Sequence, residues 1–517
     1  MIRYRLVLII QAAVLPAGES VAQTVPKPST NDCGRLRQLQ LPDVRITRAE
    51  AHQGDSRPDS QIRVPHCYVA GVIGREIRFW VWLPDQWNQR FFQGGAGGFA
   101  GGLDNQALST LNDGYATAAT DTGHEASGIS AAWAFGNVER QLNYGHLAVH
   151  RTTEVAKAVI LQYYGSEPVR SYFGGCSNGG RQALLAAQRY PDDFDGIVAG
   201  APAISITRIA AGFIKNLQAT FPNPSQRTQS VVSADNLRLL ERSVLTACDA
   251  RDGVRDSVVD DPTGCAFKPA ALPACPDDQP GADCVTRAQR TAIERIYGPA
   301  RTQTEVIYPG QPVGGEDATG GWAAWLSGVD QQLLTASRGA FPSLQFAFGT
   351  EFFKNFIFTD TTWDYSRYDF SSWRRDIRTV ATMIDAENAD LSAFKARGGK
   401  LLLWHGWADP GLNALPTVDY YREIESRDPA VRDFARLFMM PGVLHCSGGP
   451  GPARVDWYKA IANWVEHDSV PARLTAAKVD RNGKTTRTRP LCPWPERAVY
   501  RGRGSTDSAS SFSCSPR

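Results

Sequence analysis

Short apolar runs alternate with longer amphipathic stretches over residues 23–203. Hydrophobic positions from Asn143 to Tyr164 recur with a helical period and predict one amphipathic helix. Because alternating strands and helices build a sheet with helices on both faces, the predicted fold class is α/β. The apolar runs predicted to be strands are the one that precedes Ser177 and, elsewhere, Ile77–Leu83, Arg90–Gln93, Tyr115–Ala119 and Gly196–Gly200.

The alternation stops at about residue 204 and returns at Gly398. Between these points the chain is rich in turn residues and clustered aromatic side chains, and it contains four cysteines. We therefore predict one catalytic domain in two parts, residues 23–203 and 392–517, with residues 204–391 inserted as a lid domain. Ligands of α/β sheets bind beyond the carboxyl ends of the strands, so this insertion is expected to cover the site.

A Gly-x-Ser-x-Gly sequence centred on Ser177 lies between an apolar, strand-like run and a strong helix-forming segment. A sharp strand-to-helix turn strains the central residue and exposes its side chain above the sheet. Gly175 and Gly179 fit such a turn because it leaves no room for a Cβ atom. The alternative is an ordinary glycine-rich turn, but the strand before and the helix after favour a nucleophilic serine.

A serine nucleophile needs a base and an orienting acid. The run Lys400–Trp404 predicts a buried strand whose following loop ends at Asp409, and Arg436–Met440 predicts another strand followed by His445. The order Ser177, Asp409, His445 is that of α/β-hydrolases. His405 is a rival base, but it lies on the same loop as Asp409, so packing of that loop is the preferred interpretation.

Two cysteines flank the predicted nucleophile and base, since Cys176 precedes Ser177 and Cys446 follows His445. A disulfide between them would hold their Cα atoms about 4.4–6.8 Å apart and bring serine and histidine within reach of each other. The alternative is a pair of free buried thiols. The chain has ten cysteines, an even number, as a fully paired framework in a secreted protein requires.

The N-terminus predicts secretion. Residues 1–22 combine a basic start, an apolar stretch and a small-residue cleavage site at Ser20-Val-Ala22, which together are typical of a signal peptide. No later segment is apolar for long enough to cross a bilayer, so no membrane association is expected after cleavage. The net charge of +2, without a basic stripe, argues against a nucleic-acid partner. We expect a secreted or periplasmic protein, and the sequence leaves its oligomeric state open.

An acidic loop in the insertion, residues 248–261, has carboxylates at Asp249, Asp252 and Asp256 around Gly253. Ca²⁺ prefers six to eight hard oxygen ligands and needs a tight turn to gather them. The spacing is not that of an EF-hand, because the closing glutamate is absent. The alternatives are a calcium loop and a solvated acidic turn, and the pattern favours calcium.

These residues together resemble the tannase and feruloyl esterase family, which also includes a hydrolase of mono(2-hydroxyethyl) terephthalate. The resemblance spans nearly the whole mature chain, and the Cys-Ser plus His-Cys combination is its most specific element. The matching segments are Gly174–Arg181, Tyr190–Pro202, Cys248–Val258, His405–Asp409 and His445–Pro450.

The resemblance implies an α/β-hydrolase with a lid and a catalytic triad of Ser177, Asp409 and His445. It also implies a structural calcium ion in the lid, held by Asp249, Asp252, Val254, Asp256 and Val258. The disulfides that it implies are Cys176–Cys446, Cys33–Cys67, Cys248–Cys265, Cys275–Cys284 and Cys492–Cys514.

The oxyanion hole is predicted from two segments. One donor is the backbone N–H of Asn178, the residue after the nucleophile. The other comes from the glycine loop Gly94–Phe99, in which the resemblance favours Gly97. The alternative, a phosphate-binding loop, lacks the Lys-Ser/Thr ending of a P-loop.

The expected function is a carboxylic ester hydrolase that cleaves small esters of aromatic, phenolic acids through an acyl-enzyme. Most lid aromatics are expected to form the lid core, while Trp325 and Phe348 are chosen as substrate-binding residues. The terephthalate-specific relative holds the free carboxylate of its substrate with a lid arginine, and the stretch Ser343–Asn355 has none. Neutral phenolic esters are therefore favoured over terephthalate monoesters. A non-catalytic, calcium-dependent binding protein is the alternative from another functional class, and a peptidase is less favoured.

Overall fold

The computed structural model describes residues 32–516 except 56, 58, 59, 228 and 337–340, so the predicted signal peptide lies outside the described residues. The strands up to the insertion are β1 (Val44–His52), β2 (His66–Ile73), β3 (Ile77–Pro84), β4 (Arg90–Gly94), β5 (Ala116–Thr120), β6 (Arg170–Cys176) and β7 (Gly196–Gly200). The later strands are β8 (Ala300–Arg301), β9 (Val306–Tyr308), β10 (Lys400–Gly406), β11 (Ala435–Met440), β12 (Leu474–Val479), β13 (Thr485–Leu491), β14 (Arg497–Tyr500) and β15 (Phe512–Ser515).

A mixed nine-stranded sheet organises this part of the chain, in the order β1-β2-β3-β5-β4-β6-β7-β10-β11. Its first strands pair antiparallel, and from β5 to β11 every pairing is parallel. The carboxyl ends of β6, β10 and β11 therefore lie along one edge, where the loops that carry the predicted triad begin. Each predicted strand is present, with its ends displaced by at most two residues.

The helices cover both faces of the sheet and build the insertion. The stretch predicted as one helix from Asn143 is helical from Val138 to Tyr164, and it passes through a π-helical turn at Asn143–Leu147. The α-helices are α1 (Val138–Leu142), α2 (Ala148–Tyr164), α3 (Asn178–Arg189), α4 (Ile206–Thr220), α5 (Ala234–Cys248), α6 (Arg287–Tyr297), α7 (Gln331–Ala336), α8 (Leu344–Phe352), α9 (Trp373–Ile384), α10 (Ser392–Ala396), α11 (Leu415–Arg427) and α12 (Trp457–His467). No helix among the described residues is long and apolar enough to cross a membrane.

An apolar cluster centred on α4 and α8 of the insertion also takes in side chains from the rest of the chain, among them Phe99, Trp133 and Tyr144. Aromatic side chains fill much of this cluster, among them the buried Phe346, Phe352, Phe353 and Phe356. Trp322 is buried in a neighbouring cluster. The crowding of aromatic residues in this segment therefore serves packing first, as expected from their density. Trp325 and Phe348 are only partly buried against this cluster.

All ten cysteines are paired. The five disulfides are the five pairs that the family resemblance implies, namely Cys33–Cys67, Cys176–Cys446, Cys248–Cys265, Cys275–Cys284 and Cys492–Cys514. Four of them close loops of 9 to 34 residues, whereas Cys176–Cys446 joins positions 270 residues apart. That bridge is the covalent link between the two parts of the sheet on either side of the insertion.

Candidate active site

Ser177 occupies the turn between β6 and α3 with φ 64° and ψ −124°, a conformation that L-residues rarely adopt. The turn is crowded. A Cβ atom on Gly175 would lie 2.8 Å from the backbone of Gly179, and one on Gly179 would lie 2.5 Å from the Gln106 side chain. The two glycines are therefore required by close contact, as the sequence pattern predicted.

Hydrogen bonds hold the strained serine in place. Its N–H donates to the carbonyl of Gly200 at the end of β7, over 3.0 Å. Its carbonyl accepts from the N–H groups of Arg181, at 3.0 Å, and Ala203, at 3.1 Å. Because the neighbouring strand and the following helix both bind the Ser177 backbone, they offset the cost of its conformation.

His445 and Asp409 form an acid–base pair. Nδ1 of His445 lies 2.8 Å from Oδ2 of Asp409, and the carboxylate is completely buried. Its other oxygen accepts the N–H groups of Gly411 and Leu412, each at 2.8 Å. Burial alone would raise the pKa of Asp409, but the imidazoles of His445 and His405 outweigh burial and hold this pKa below its ordinary value. Asp409 is therefore ionised and can orient the His445 ring.

His405 packs the loop that carries Asp409. Its Nδ1 lies 2.7 Å from Oγ1 of Thr417, and its Nε2 lies 2.9 Å from the carbonyl of Leu412 and 3.2 Å from Oδ2 of Asp409. Both neighbours of Nε2 are acceptors, so this nitrogen carries the proton and the Thr417 hydroxyl donates to Nδ1. The ring is completely buried, in agreement with a packing role and not with that of the reacting base.

The Cys176–Cys446 disulfide joins the turn that contains Ser177 to the loop that contains His445. The two Cα atoms are 5.9 Å apart. Cys446, like Ser177, has a positive φ, here 62°. Ser177 and His445 line the same cavity, so the structure brings together the three predicted triad residues at the carboxyl edge of the sheet.

The two predicted oxyanion donors are on opposite sides of the Ser177 turn. Asn178 is the first residue of α3, so its N–H has no partner within the helix. Gly97 also lines the cavity, but its N–H donates to Oδ2 of the exposed Asp104 at 2.8 Å. Both donors lie at the cavity, and the Gly97 N–H is bound to a carboxylate in this structure.

Gln106 is a cavity residue that sequence reasoning missed. Its Oε1 accepts the N–H of Cys176 at 2.6 Å, and its carbonyl accepts the hydroxyl of Tyr458 at 2.8 Å. A single glutamine in a loop belongs to no motif and no period, so the sequence carried no signal for it. It ties the glycine loop to the strand that precedes the nucleophile.

A cavity of about 340 Å³ opens onto Ser177 and His445. The predicted Trp325 and Phe348 both line it, and the Trp325 ring meets the His445 ring edge-on at a centroid distance of 5.0 Å. The Trp325 and Phe348 centroids are 6.1 Å apart. A substrate ring placed between Trp325 and Phe348 would need a centroid distance of at least about 4.5 Å to each of them, and 6.1 Å is too short for two such distances. The two rings are therefore neighbours and do not sandwich a substrate ring. The apolar wall that the sequence did not reveal is contributed by α4, through Ile206, Ile209, Ala210 and Phe213.

The predicted calcium loop lies apart from this cavity. Asp249 accepts the N–H groups of Asp256, Ser257 and Val258 at 3.2–3.3 Å, and Asp252 accepts the N–H of Val254 at 2.9 Å. Burial, and then the charge of Asp256, raises the pKa of Asp252 to about 6. The charge of Asp252 is thus disfavoured by its burial and by the neighbouring carboxylate of Asp256.

The carboxylate of Asp256 is nearly inaccessible to solvent. One oxygen accepts from Arg487, at 3.2 Å, and from Arg489, while the other, Oδ1, is buried and accepts no hydrogen bond among the described residues. A small cavity of about 20 Å³, room for one water-sized occupant, lies between Asp252, Asp256 and Val258. No three acidic, histidine or cysteine side chains in the described ranges form a ready metal cluster. The oxygen donors and the orphaned carboxylate oxygen nevertheless fit a hard cation.

Comparison with known proteins gives consistent matches. The family model described as "Tannase and feruloyl esterase" matches residues 62–515. An uncharacterized esterase of Xanthomonas campestris pv. campestris is 35% identical, over 94% of this chain and 92% of that relative. The mono(2-hydroxyethyl) terephthalate hydrolase of Piscinibacter sakaiensis is 32% identical, over 87% of this chain and 84% of that enzyme. The crystal structure of an esterase from Aspergillus oryzae is similar at TM-score 0.82 and 25% identity, over 93% and 99% of the two chains. The predicted α/β-hydrolase fold is confirmed.

We expect Ser177 to become less reactive when Cys176 and Cys446 are both changed to alanine, because the bridge holds the Ser177 turn next to the His445 loop. In the chain-entropy model a loop of 270 residues contributes about 5.6 kcal/mol, so the yield of folded protein should fall. In the folded fraction, a His445 loop displaced by about 1 Å should slow labelling of Ser177 by a fluorophosphonate about 10²-fold.

The matched control changes Cys492 and Cys514 to alanine, which removes a bridge between β13 and β15 and leaves the site intact. This variant should lose stability but keep the labelling rate of its folded fraction. Equal labelling rates in the two variants would show that the Cys176–Cys446 bridge does not align the site.

Proposed function

The chain belongs to the tannase and feruloyl esterase family and is a carboxylic ester hydrolase, and from this premise we propose that it is a secreted serine esterase acting on esters of aromatic, phenolic acids. The observation that carries the proposal is the position of Ser177 and His445 on one apolar cavity, with Asp409 behind the histidine. Its five disulfides favour an oxidising compartment, in support of secretion.

The proposed reaction runs through an acyl-enzyme. Nδ1 of His445 faces Asp409, so Nε2 is the nitrogen that takes the Ser177 hydroxyl proton as Oγ attacks the ester carbonyl. The tetrahedral intermediate collapses, the bond to the alkoxy oxygen breaks, and the alcohol leaves with the proton from His445. Water then gives its proton to His445 and attacks the acyl-enzyme, which releases the acid and restores Ser177.

The backbone N–H groups of Asn178 and Gly97 are the proposed donors to the oxyanion. Removal of one such donor costs other hydrolases about 10²–10³ in turnover. The Gly97 N–H donates to Asp104 in the free protein, so the substrate has to take this donor over from an exposed carboxylate. A developing oxyanion is a stronger acceptor than the ground-state ester oxygen, and the exchange therefore favours the transition state.

The cavity lining supports a neutral aromatic acyl group. In the described part of the chain, no lysine or arginine lines the cavity, and aromatic and aliphatic side chains make up most of its wall. A free carboxylate placed there would lose its hydration without gaining a cationic partner. Ferulate- and gallate-type esters fit this surface better than terephthalate monoesters, although a relative is a mono(2-hydroxyethyl) terephthalate hydrolase. Trp325 and Phe348 are the proposed ring contacts.

Calcium is proposed as a structural ion of the acidic loop. Its ligands would be the carboxylates of Asp249, Asp252 and Asp256 and the carbonyls of Val254 and Val258. The ion would supply positive charge to carboxylates that burial brings together, and the buried Oδ1 of Asp256 supports this assignment. The loop lies away from the cavity, so the ion would stabilise the lid and take no part in ester cleavage.

Ser177→Ala should abolish hydrolysis of methyl ferulate while leaving the melting temperature within a few degrees of wild type. The matched control is Ser171→Ala, because Ser171 is a buried serine at the other end of β6. This control should keep wild-type turnover. Residual activity above a few per cent in the Ser177 variant, measured by release of ferulate, would identify another nucleophile.

The uncharged cavity predicts a substrate order. Wild-type enzyme should hydrolyse methyl ferulate and methyl gallate with a kcat/KM at least about tenfold above that for mono(2-hydroxyethyl) terephthalate, since an unpaired buried charge costs more than 1.4 kcal/mol. Chromatography of the released acids measures all three rates under one set of conditions. A preference for the terephthalate monoester would instead support the alternative function.

Chelation should remove one calcium ion per chain and lower the melting temperature by several degrees, because the folded protein would lose the stabilisation that the bound ion supplies to the loop. Asp252→Asn should carry less calcium, and its melting temperature should respond less to chelator. The control Asp283→Asn changes an exposed lid carboxylate outside the loop and should behave as wild type. Elemental analysis that finds no calcium in protein purified with calcium present contradicts this proposal.

A further inference from the structure

The backbone of Ala96, in the glycine loop, is bound on both sides by side chains of α3. Its N–H donates to Oε1 of Gln182 at 3.0 Å, and its carbonyl accepts from Nδ2 of Asn178 at 2.9 Å. We call this pair of contacts the Ala96 clasp. Both partners are buried, and they lie in the first two turns of the helix that begins after Ser177. The clasp therefore links the loop to the helix that carries the other oxyanion donor.

The carbonyl of Ala96 and the N–H of Gly97 belong to one peptide group. This bond is trans, because the cis peptide of the described residues is Trp494–Pro495. In a planar trans peptide the C=O and N–H bonds point in opposite directions, so fixing one fixes the other. The Asn178 side chain, which holds the carbonyl of Ala96, thereby sets the direction of the Gly97 N–H.

The Asn178 amide is itself held in one orientation. Its Oδ1 accepts Nε of Arg181 at 2.9 Å, and a guanidinium can only donate, so the nitrogen of the amide must face the Ala96 carbonyl. Arg181 is completely buried. Its remaining nitrogens donate to the carbonyls of Tyr144, Gly145 and Ile384 at 2.8–3.0 Å. A fixed guanidinium thus holds the amide that holds the loop.

We propose that the side chain of Asn178 is a positioning residue of the oxyanion hole, orienting the Gly97 N–H while its own backbone N–H serves as the other donor. This inference rests on the proposed function, because it concerns the same hole. Packing alone keeps the loop near the helix, since a Cβ atom on Gly95 would lie 2.6 Å from Cα of Gly179. The Ala96 clasp also fixes the direction of the Gly97 N–H, and a donor stabilises an oxyanion only when its N–H points at the oxygen.

The test compares two variants of Asn178. Asn178→Leu removes the donor to Ala96 without adding charge. Asn178→Asp keeps the contact with Arg181 but turns a carboxylate oxygen towards the Ala96 carbonyl. We expect kcat for methyl ferulate to fall about 10- to 100-fold in both variants, as for small misplacements of catalytic groups, and KM to change little. The fall in kcat should be larger for Asn178→Asp, because its carboxylate oxygen and the carbonyl oxygen of Ala96 repel each other.

The matched controls are Gln188→Leu and Gln188→Glu. Gln188 lies on the same helix and also donates its amide to a carbonyl, that of Ala386, at 2.8 Å. Both controls should lower the melting temperature by amounts similar to those of the Asn178 variants and keep wild-type kcat. A purely structural role for Asn178 would make the two sets alike in turnover as well as in stability.

A second readout separates orientation from binding. An aryl trifluoromethyl ketone adds to Ser177 and places an oxyanion in the hole, whereas the corresponding aryl amide binds without reacting. The Asn178 variants should lose affinity for the ketone by the same factor as kcat/KM and keep their affinity for the amide. If a variant does not fold, Asn178→Ala, which also removes the donor to the Ala96 carbonyl, is measured in the same way.

Unchanged kcat, or equal losses of affinity for ketone and amide, would overturn the positioning role. Failure of the proposed function has a different signature, since wild-type enzyme would then hydrolyse none of the aromatic esters, and both proposals would fall. If wild type is active, Ser177→Ala is inactive and the Asn178 variants match wild type, only the inference about Asn178 is wrong.

Discussion

The structure depends on the strained backbone of Ser177, which holds its side chain above the sheet. The strain persists because neighbours on every side bind the turn. Gly200 and Ala203 bind its polar groups, and the contact of Gly95 with Gly179 leaves no room for the turn to relax. The conformation of Ser177 is thus maintained by several segments at the carboxyl edge of the sheet, and the glycine loop is one of them.

The parallel strands of the sheet were the easiest part of the fold to predict, whereas the antiparallel strand β2 was missed although most of its residues are buried. β7 and β10 are continuous apolar runs, and their ends agree with the sequence prediction to within two residues. β1 was missed because it is an edge strand in which Ala49 is the only buried residue, so its pattern is polar. The short hairpin strands after β11 lie in a charged segment and gave no hydrophobic signal either.

The cavity residues that the sequence predicted are those tied to a strand end by spacing and chemistry, such as Ser177 and His445. Residues that act through a single side-chain contact were not identified. Gln106 and Gln182 are ordinary polar residues in sequence, and their roles follow only from the atoms that they meet in the fold. The apolar wall from α4 was also hidden, because a helix assigned to the lid core has a second face on the cavity.

The Cys176–Cys446 bridge has a topological consequence. It closes the chain from Ser177 to His445 into a covalent ring, and the whole insertion lies within that ring. Loop-closure entropy grows only by about 0.6 kcal/mol for each doubling of length, so a ring of this size tolerates large changes in the length of its contents. Both ends of the insertion therefore belong to a segment that is closed by a bridge next to Ser177 and His445. A different insertion would change the wall of the cavity, while the bridge would still hold the Ser177 turn next to the His445 loop.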